Sequence, residues 1–222
     1  MDFMERVTGM FTKPEETIKD ILADPRIEEP LMIIGIYGII AVLASVLSTL
    51  HAGSGISILS ALFALIGAFI GWLIATAVIH ALSLLLGGQG KLNPHMLTAI
   101  GYTYIVKYIP AIIGLILVLF MPVLATPATP QITDSSQLKI AMQPYIDYLG
   151  QVLFNPFAIL SMVIVFLGLI WSSYLGSLAV KNGEKVSKTS SYIAVFVPMV
   201  IYMVIVILLD YGSYFVLKAL YG

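Results

Sequence analysis

Five long apolar runs, separated by shorter polar stretches, leave this chain few folds to choose from. They cover Leu31–Leu50, Ser57–Leu86, Leu97–Met121, Phe157–Val180 and Ser191–Leu217. A helix needs roughly 20 mostly apolar residues to cross the hydrocarbon layer of a bilayer. No water is available there, so every backbone N–H and C=O must be paired within the protein, and runs of this length are helices. The expected fold is all-α: a polytopic integral membrane bundle of five transmembrane helices. The second run, at about 30 residues, suits one long or tilted helix better than two short ones.

Composition excludes the alternatives. Only 10 % of residues are charged and 59 % are hydrophobic, which fits neither a soluble globular domain nor a disordered chain. The formal net charge of −1 supplies no basic field for nucleic acid. Cysteine is absent, which removes disulfides, thiolate catalysis and Cys-zinc sites. No cofactor is expected. The first 30 residues are charged and broken by prolines, without the apolar core of a signal peptide. The first span is therefore expected to act as an uncleaved anchor.

Lysine and arginine set the expected orientation. Arg6, Lys13, Lys19, Arg26, Lys91, Lys181, Lys185 and Lys188 fall on one side of a five-span chain; Lys139 and Lys218 fall on the other. Eight against two places the N-terminus in the cytoplasm and the C-terminus outside, in the cell membrane. Residues 1–30 then form a cytoplasmic segment and 31–222 the five-span domain.

The cytoplasmic segment has helical character. Phe3, Met4, Val7, Met10 and Phe11 recur as one apolar stripe, and Ile18, Ile21 and Leu22 as a second. Thr12-Lys13-Pro14-Glu15 has the spacing of a capping box, and Pro14 is tolerated in a first turn. Two amphipathic interfacial helices are expected, the second ending before Pro25. Packing of these helices against the end of the bundle is the plainer alternative. The segment's eight acidic residues against four basic ones do not suit a basic, anionic-lipid-binding helix.

Gly67 and Gly71 form a GxxxG on the second span, extended by Ala64, Ala68 and Ala75. Small residues let helix backbones approach in lipid, so this face is expected to pack against another helix of the bundle, with homodimerisation the alternative. Between the third and fourth spans lies a long loop. Repeated prolines from Pro122 to Pro130 cannot continue a helix. Leu138, Met142, Tyr145, Leu149 and Val152 then make an apolar stripe. An outer-surface amphipathic helix is expected near residues 136–154, with a break at Pro144.

Ionisable residues inside spans are costly in hydrocarbon and are the candidates for function. His80, Lys107 and Asp210 are of this kind. At 1.5 Å rise per residue, Lys107 lies roughly 15 Å and Asp210 roughly 28 Å from the cytoplasmic boundary, too far apart to pair, whereas His80 and Lys107 lie within about 6 Å of each other in depth. The third span adds Tyr102, Tyr104 and Tyr108 before Pro110, which removes a helical hydrogen bond and is expected to kink the helix. His80, Tyr102, Tyr104 and Lys107 are therefore the candidate lining of one polar, inward-opening pocket between the second and third spans. The plainer alternative is that His80 bonds across helices and Lys107 snorkels. His51 and His95 fall on opposite faces of the expected membrane, so no metal site is predicted.

The stretch from Trp72 to His80, the turn Leu84-Leu85-Leu86-Gly87-Gly88-Gln89-Gly90-Lys91, and then Gly101-Tyr102 and Pro110 resemble the Yip domain, a family named for proteins that interact with Ypt/Rab GTPases. Phe11–Asp24 is similar to the segment before the first span in prokaryotic members. The resemblance covers nearly the whole chain and implies five spans, a cytoplasmic N-terminus and protein partners at the cytoplasmic face. The chain lacks the long N-terminal region and the DLYGP-type motif of eukaryotic members, so the resemblance does not carry Rab-type GTPase binding over to it. It is closest in pattern to the short prokaryotic branch.

No HExxH, GxSxG or P-loop occurs, and the chain is not expected to be an enzyme. A non-catalytic membrane-organising or adaptor protein is the favoured role. A small-solute or ion permease using His80, Lys107 and the Pro110 kink is one alternative, weakened by the lack of paired broken helices in inverted repeats. A lipid-handling protein with a polar groove is the other.

Overall fold

The computed structural model of the chain describes residues 1–51, 58–121, 127 and 138–221, with the side chains of His51 and Asp210 outside that description. The described residues form helices α1 (Phe3–Thr12), α2 (Pro14–Ala23), α3 (Glu28–His51), α4 (Ile58–Leu85), α5 (Leu97–Tyr102), α6 (Tyr108–Val118), α7 (Leu138–Leu153), α8 (Pro156–Gly183) and α9 (Lys188–Tyr221). Five segments are long and apolar enough to cross a membrane: Glu28–Leu50, Ile58–Leu85, Leu92–Val118, Pro156–Gly183 and Lys188–Tyr221. The protein is an all-helical membrane bundle, as the five apolar runs require.

The third span is the most enclosed and is not one continuous helix. After α5 the chain passes through a turn at Thr103 and Tyr104 and a 3-10 turn at Ile105–Lys107 before α6 begins. Pro110 accounts for the position of the break. It lacks an N–H, and its ring clashes with the carbonyl four residues earlier, at Val106. The disturbance therefore falls on the N-terminal side of the proline. Pro110 itself sits in the first turn of α6, where a free N–H would have had no helical partner. Its ring packs on Gly168 of α8, where a Cβ would stand 2.4 Å from Pro110 Cγ.

α1 and α2 pack against the end of the bundle. Met10, Ile18 and Ile21 are fully buried and share one core with Ile33, Trp72, Tyr102, Leu175 and Val180. Phe11 meets Trp171 of α8 edge-on, with ring centroids 5.5 Å apart. The two helices cross closely because residue 9 is glycine: a Cβ there would stand 2.2 Å from Thr17 Oγ1. The capping box expected at Thr12 is not formed. Lys13 separates the helices without a side-chain cap, and the Thr12 hydroxyl donates to the Thr8 carbonyl instead. A true capping box lies earlier, where Asp2 and Glu5 each accept from the other's backbone N–H.

The small-residue contact between spans is also elsewhere than expected. Gly67 and Gly71 face outward, and a Cβ at either would meet nothing within 4 Å. α3 and α4 instead approach through Gly38, where a Cβ would stand 2.7 Å from Leu65 Cδ1. Two half-turn choices existed for the small stripe of α4, and periodicity alone does not say which faces a neighbour. Gly71→Leu is accordingly expected to leave thermal unfolding in detergent within about 0.5 kcal/mol of wild type. A marked loss of stability would show that this face has a contact after all.

At the other end of the bundle, α7 runs through Pro144 without interruption and packs on α9. Phe154 sits among Tyr211, Tyr214 and Phe215, and the Tyr211 hydroxyl donates to the Leu153 carbonyl at 3.3 Å. The proline-rich stretch expected to be non-helical lies almost wholly outside the described residues.

Candidate functional site

Polar and charged residues gather where α1 and α2 sit, in two clusters. The first is built on Glu184, the C-cap of α8, which is fully buried. α4 ends in a Schellman motif. Gly87 takes φ +90°, its N–H reaches the Leu84 carbonyl at 3.1 Å, and Gly88 N–H reaches the Ser83 carbonyl at 2.8 Å. This turn presents Gln89 and Gly90 to Glu184. The Glu184 carbonyl accepts from Gln89 N–H at 2.9 Å. Its Oε2 accepts from Gly90 N–H at 2.8 Å, and Oε1 lies 2.5 Å from His80 Nδ1. With the carboxylate ionised, Nδ1 carries the hydrogen of that bond. Gly90 must be glycine here, since a Cβ would stand 2.6 Å from both Glu184 Oε2 and the Gly183 carbonyl.

The second cluster joins α1, α2, α3 and α5. Arg6, with its side chain 1 % exposed, reaches Asp20 through Nε at 2.8 Å and Glu29 through a terminal nitrogen at 2.9 Å. The Tyr102 hydroxyl donates to the same Glu29 carboxylate. Arg26 adds a longer contact to Glu29 at 3.5 Å and a close one to Asp24 at 2.6 Å. The N-terminal ammonium closes on Asp20 at 3.1 Å.

Charge balance in this cluster is visible in its titration. Burial pushes the Asp20 carboxyl up, but hydrogen bonds from the N-terminal ammonium and Arg6 outweigh it and hold the group below its ordinary value. A depressed folded pKa contributes stability above the unfolded value, and that stability is lost as pH falls through the folded one. The contact with Asp20 therefore persists at neutral pH and weakens only below roughly pH 4. Burial lowers the Arg6 guanidinium, and its bonds to Glu29 and Asp20 more than reverse this.

The four candidate pocket residues are divided between different settings. His80 belongs to the Glu184 cluster and Tyr102 to the Arg6 cluster. Only Tyr104 and Lys107 are brought together: the Lys107 ammonium lies 3.6 Å from the centroid of the Tyr104 ring, and that ring meets Tyr37 of α3 edge-on at 5.5 Å. Asp210 lies outside the described side chains. Beside them, Tyr108 donates to the Ile33 carbonyl at 2.6 Å, and Ser172 of α8 donates to Thr103 at 3.2 Å. Trp72 donates to the Leu97 carbonyl at 3.2 Å. Gly101 allows α3 to close on this region, where a Cβ would stand 2.3 Å from Pro30 Cβ. Among the described residues no group of His, Asp and Glu side chains gathers into a metal site.

Sequence reasoning missed Glu184, Glu29 and Arg6. A signal for Arg6 was present: it lies three residues from Phe3 and four from Met10, on the apolar stripe itself. A charge on a buried face demands a buried partner. Glu184 carried a fainter signal, as an acid among lysines opposite a glycine-rich turn.

A search of curated proteins found no match to the chain, and a search of solved structures found none. A family model, the Yip1 domain, matches residues 8–209. That span includes the second half of α1 and every element of both clusters from Asp20 to Glu184. Trp72, His80, the Gly87–Gly90 turn, Gly101, Tyr102 and Pro110 are the residues on which the resemblance rested, and each is locked to another element. The chain belongs to the Yip1 domain family of membrane proteins.

Proposed function

We propose that this is a non-catalytic membrane-organising or adaptor protein of the cell membrane. α1, α2 and the turns around residues 86–91 and 184–187 would form its preformed cytoplasmic face, where protein partners bind. One observation carries the reading: two of the polar residues that marked a possible transport site, His80 and Tyr102, are committed to bonds that clamp the N-terminal helices and both turns together. His80 holds the Glu184 turn, and Tyr102 holds the Arg6–Glu29 pair. The eight-to-two lysine and arginine distribution supports the cytoplasmic placement of this end. Labelling of a cysteine at position 185 from outside intact cells would reverse it.

Lys107 separates this reading from a permease. A lysine at mid-span costs about 2.5–3.5 kcal/mol on insertion scales, and a desolvated cation–π contact returns about 2 kcal/mol. Lys107→Met is therefore expected to stabilise the fold by about 1 kcal/mol, read as a higher unfolding midpoint in detergent. Proteoliposomes of wild type and variant should both match protein-free vesicles in ion leak and in exchange of fluorescent lipids. Ion flux or lipid exchange in the wild type that Lys107→Met abolishes would overturn the adaptor reading.

A further inference from the structure

A cleft between α2, α8 and α9 lies outside both clusters. It has a volume of about 150 Å³, and its lining includes Glu15, Tyr174, Leu178, Lys181, Lys188 and Tyr192. We propose that this cleft holds the phosphate of an anionic phospholipid headgroup while the acyl chains run down α8.

Charge is the first argument. Two ammonium groups face one carboxylate in the cleft. Glu15 is shared, at 3.3 Å each, between Lys181 and Lys19. Lys188 pairs with no carboxylate among the described residues; its ammonium lies 5.9 Å from the centroid of the Tyr192 ring. The cleft is thus left with uncompensated positive charge, to which the N-terminal end of α9 adds.

Position is the second. Lys181 is two residues from the end of α8, and Lys188 is the first residue of α9, so both stand where spans leave the hydrocarbon. Tyr192 lies about one turn inward, the level at which aromatic side chains meet headgroups, and Tyr174 about two turns inward.

Shape decides between a lipid and a free anion. Lys181, Leu178, Tyr174, Trp171 and Leu167 recur at three- and four-residue spacing along one face of α8. Tyr174, Trp171 and Leu167 are 41 %, 37 % and 61 % exposed. A ligand with a phosphate at the lysines and an apolar tail below them uses the cleft and the exposed Tyr174 and Leu167 side chains beneath it, running past the buried Leu178 and beside Trp171, on which Phe11 of α1 packs; inorganic phosphate uses only the upper end. The inference goes beyond the adaptor reading and stands if that reading falls, because it requires only a bilayer.

The test titrates phosphatidylglycerol onto the purified full-length chain in neutral detergent and counts bound lipid by native mass spectrometry. The double variant K181Q/K188Q is expected to bind at least about fivefold more weakly than wild type, a loss of two charge-assisted contacts. K188Q alone should fall between them; its exposed side chain has no ion-pair partner, so it tests the site even if the double variant does not fold. K91Q/K185Q removes the same charge from the same end of the bundle, outside the cleft, and should bind as wild type does. Equal binding by all variants would overturn the proposal. So would an equal loss in K91Q/K185Q, which would mean bulk charge alone, or displacement of the lipid by an equal concentration of inorganic phosphate, which would mean a free-anion site.

Discussion

Glu184→Ala is expected to lower the unfolding midpoint of the detergent-solubilised protein by roughly 6–12 °C, on the basis of about 3 kcal/mol at 2–4 °C per kcal/mol for a chain of this size. The carboxylate is the acceptor for both Gly90 N–H and His80. Alanine leaves these groups buried without a partner, at about 1–3 kcal/mol for each unsatisfied donor, and opens a cavity beneath the turn. Glu184→Gln is expected to be much milder, at about 1 kcal/mol. Its amide oxygen accepts from Gly90, and its NH2 donates to His80 Nδ1 once the ring changes tautomer. His80→Phe should cost less in the Glu184→Ala background than in wild type, because the bond it removes is already gone. An Ala variant as stable as wild type, or a Gln variant as damaged as Ala, would show that the carboxylate does not hold the turn.

What could be read from the sequence follows from what lipid enforces. The five spans were legible because hydrocarbon tolerates only paired backbone, and that demand repeats over some 20 residues at a time. Pro110 was legible for a similar reason: one missing N–H has a local consequence whatever surrounds it. The site was not legible in the same way. Depth along a helix was the coordinate the sequence offered for His80 and Lys107, and depth says nothing of azimuth. His80 turns to Glu184 and Lys107 to Tyr104. Gly67 and Gly71 failed for the same reason, since a small stripe marks a face without saying what lies opposite it. The two acids that organise the polar end, Glu29 and Glu184, stand at the edges of spans. There an acidic residue reads as ordinary solvated surface, and only the fold reveals that α1 and the Gly87–Gly90 turn cover them.

Arg6→Met is expected to destabilise the protein by about 3–5 kcal/mol, the range for breaking a buried ion pair by removing one partner, and to release α1 from the bundle. The Glu29 side chain is 6 % exposed. Without the guanidinium it keeps only the Tyr102 hydroxyl and the longer contact to Arg26. Asp20 loses one of its two cationic partners at the same time. Arg6→Lys should recover only part of the loss, because one ammonium cannot reproduce a planar fork that reaches Asp20, Asp24 and Glu29 in different directions. Arg6→Met/Glu29→Met should be more stable than Arg6→Met alone, since it removes the stranded charge together with its partner. Limited proteolysis supplies a second readout. Lys19 lies in α2, which packs on α8, and trypsin should cleave after it far faster in Arg6→Met than in wild type if Arg6 is what secures the N-terminal helices. Unchanged cleavage together with a lowered midpoint would mean that the charge network stabilises the bundle while the apolar contacts of Met10, Ile18 and Ile21 alone hold the N-terminal helices in place.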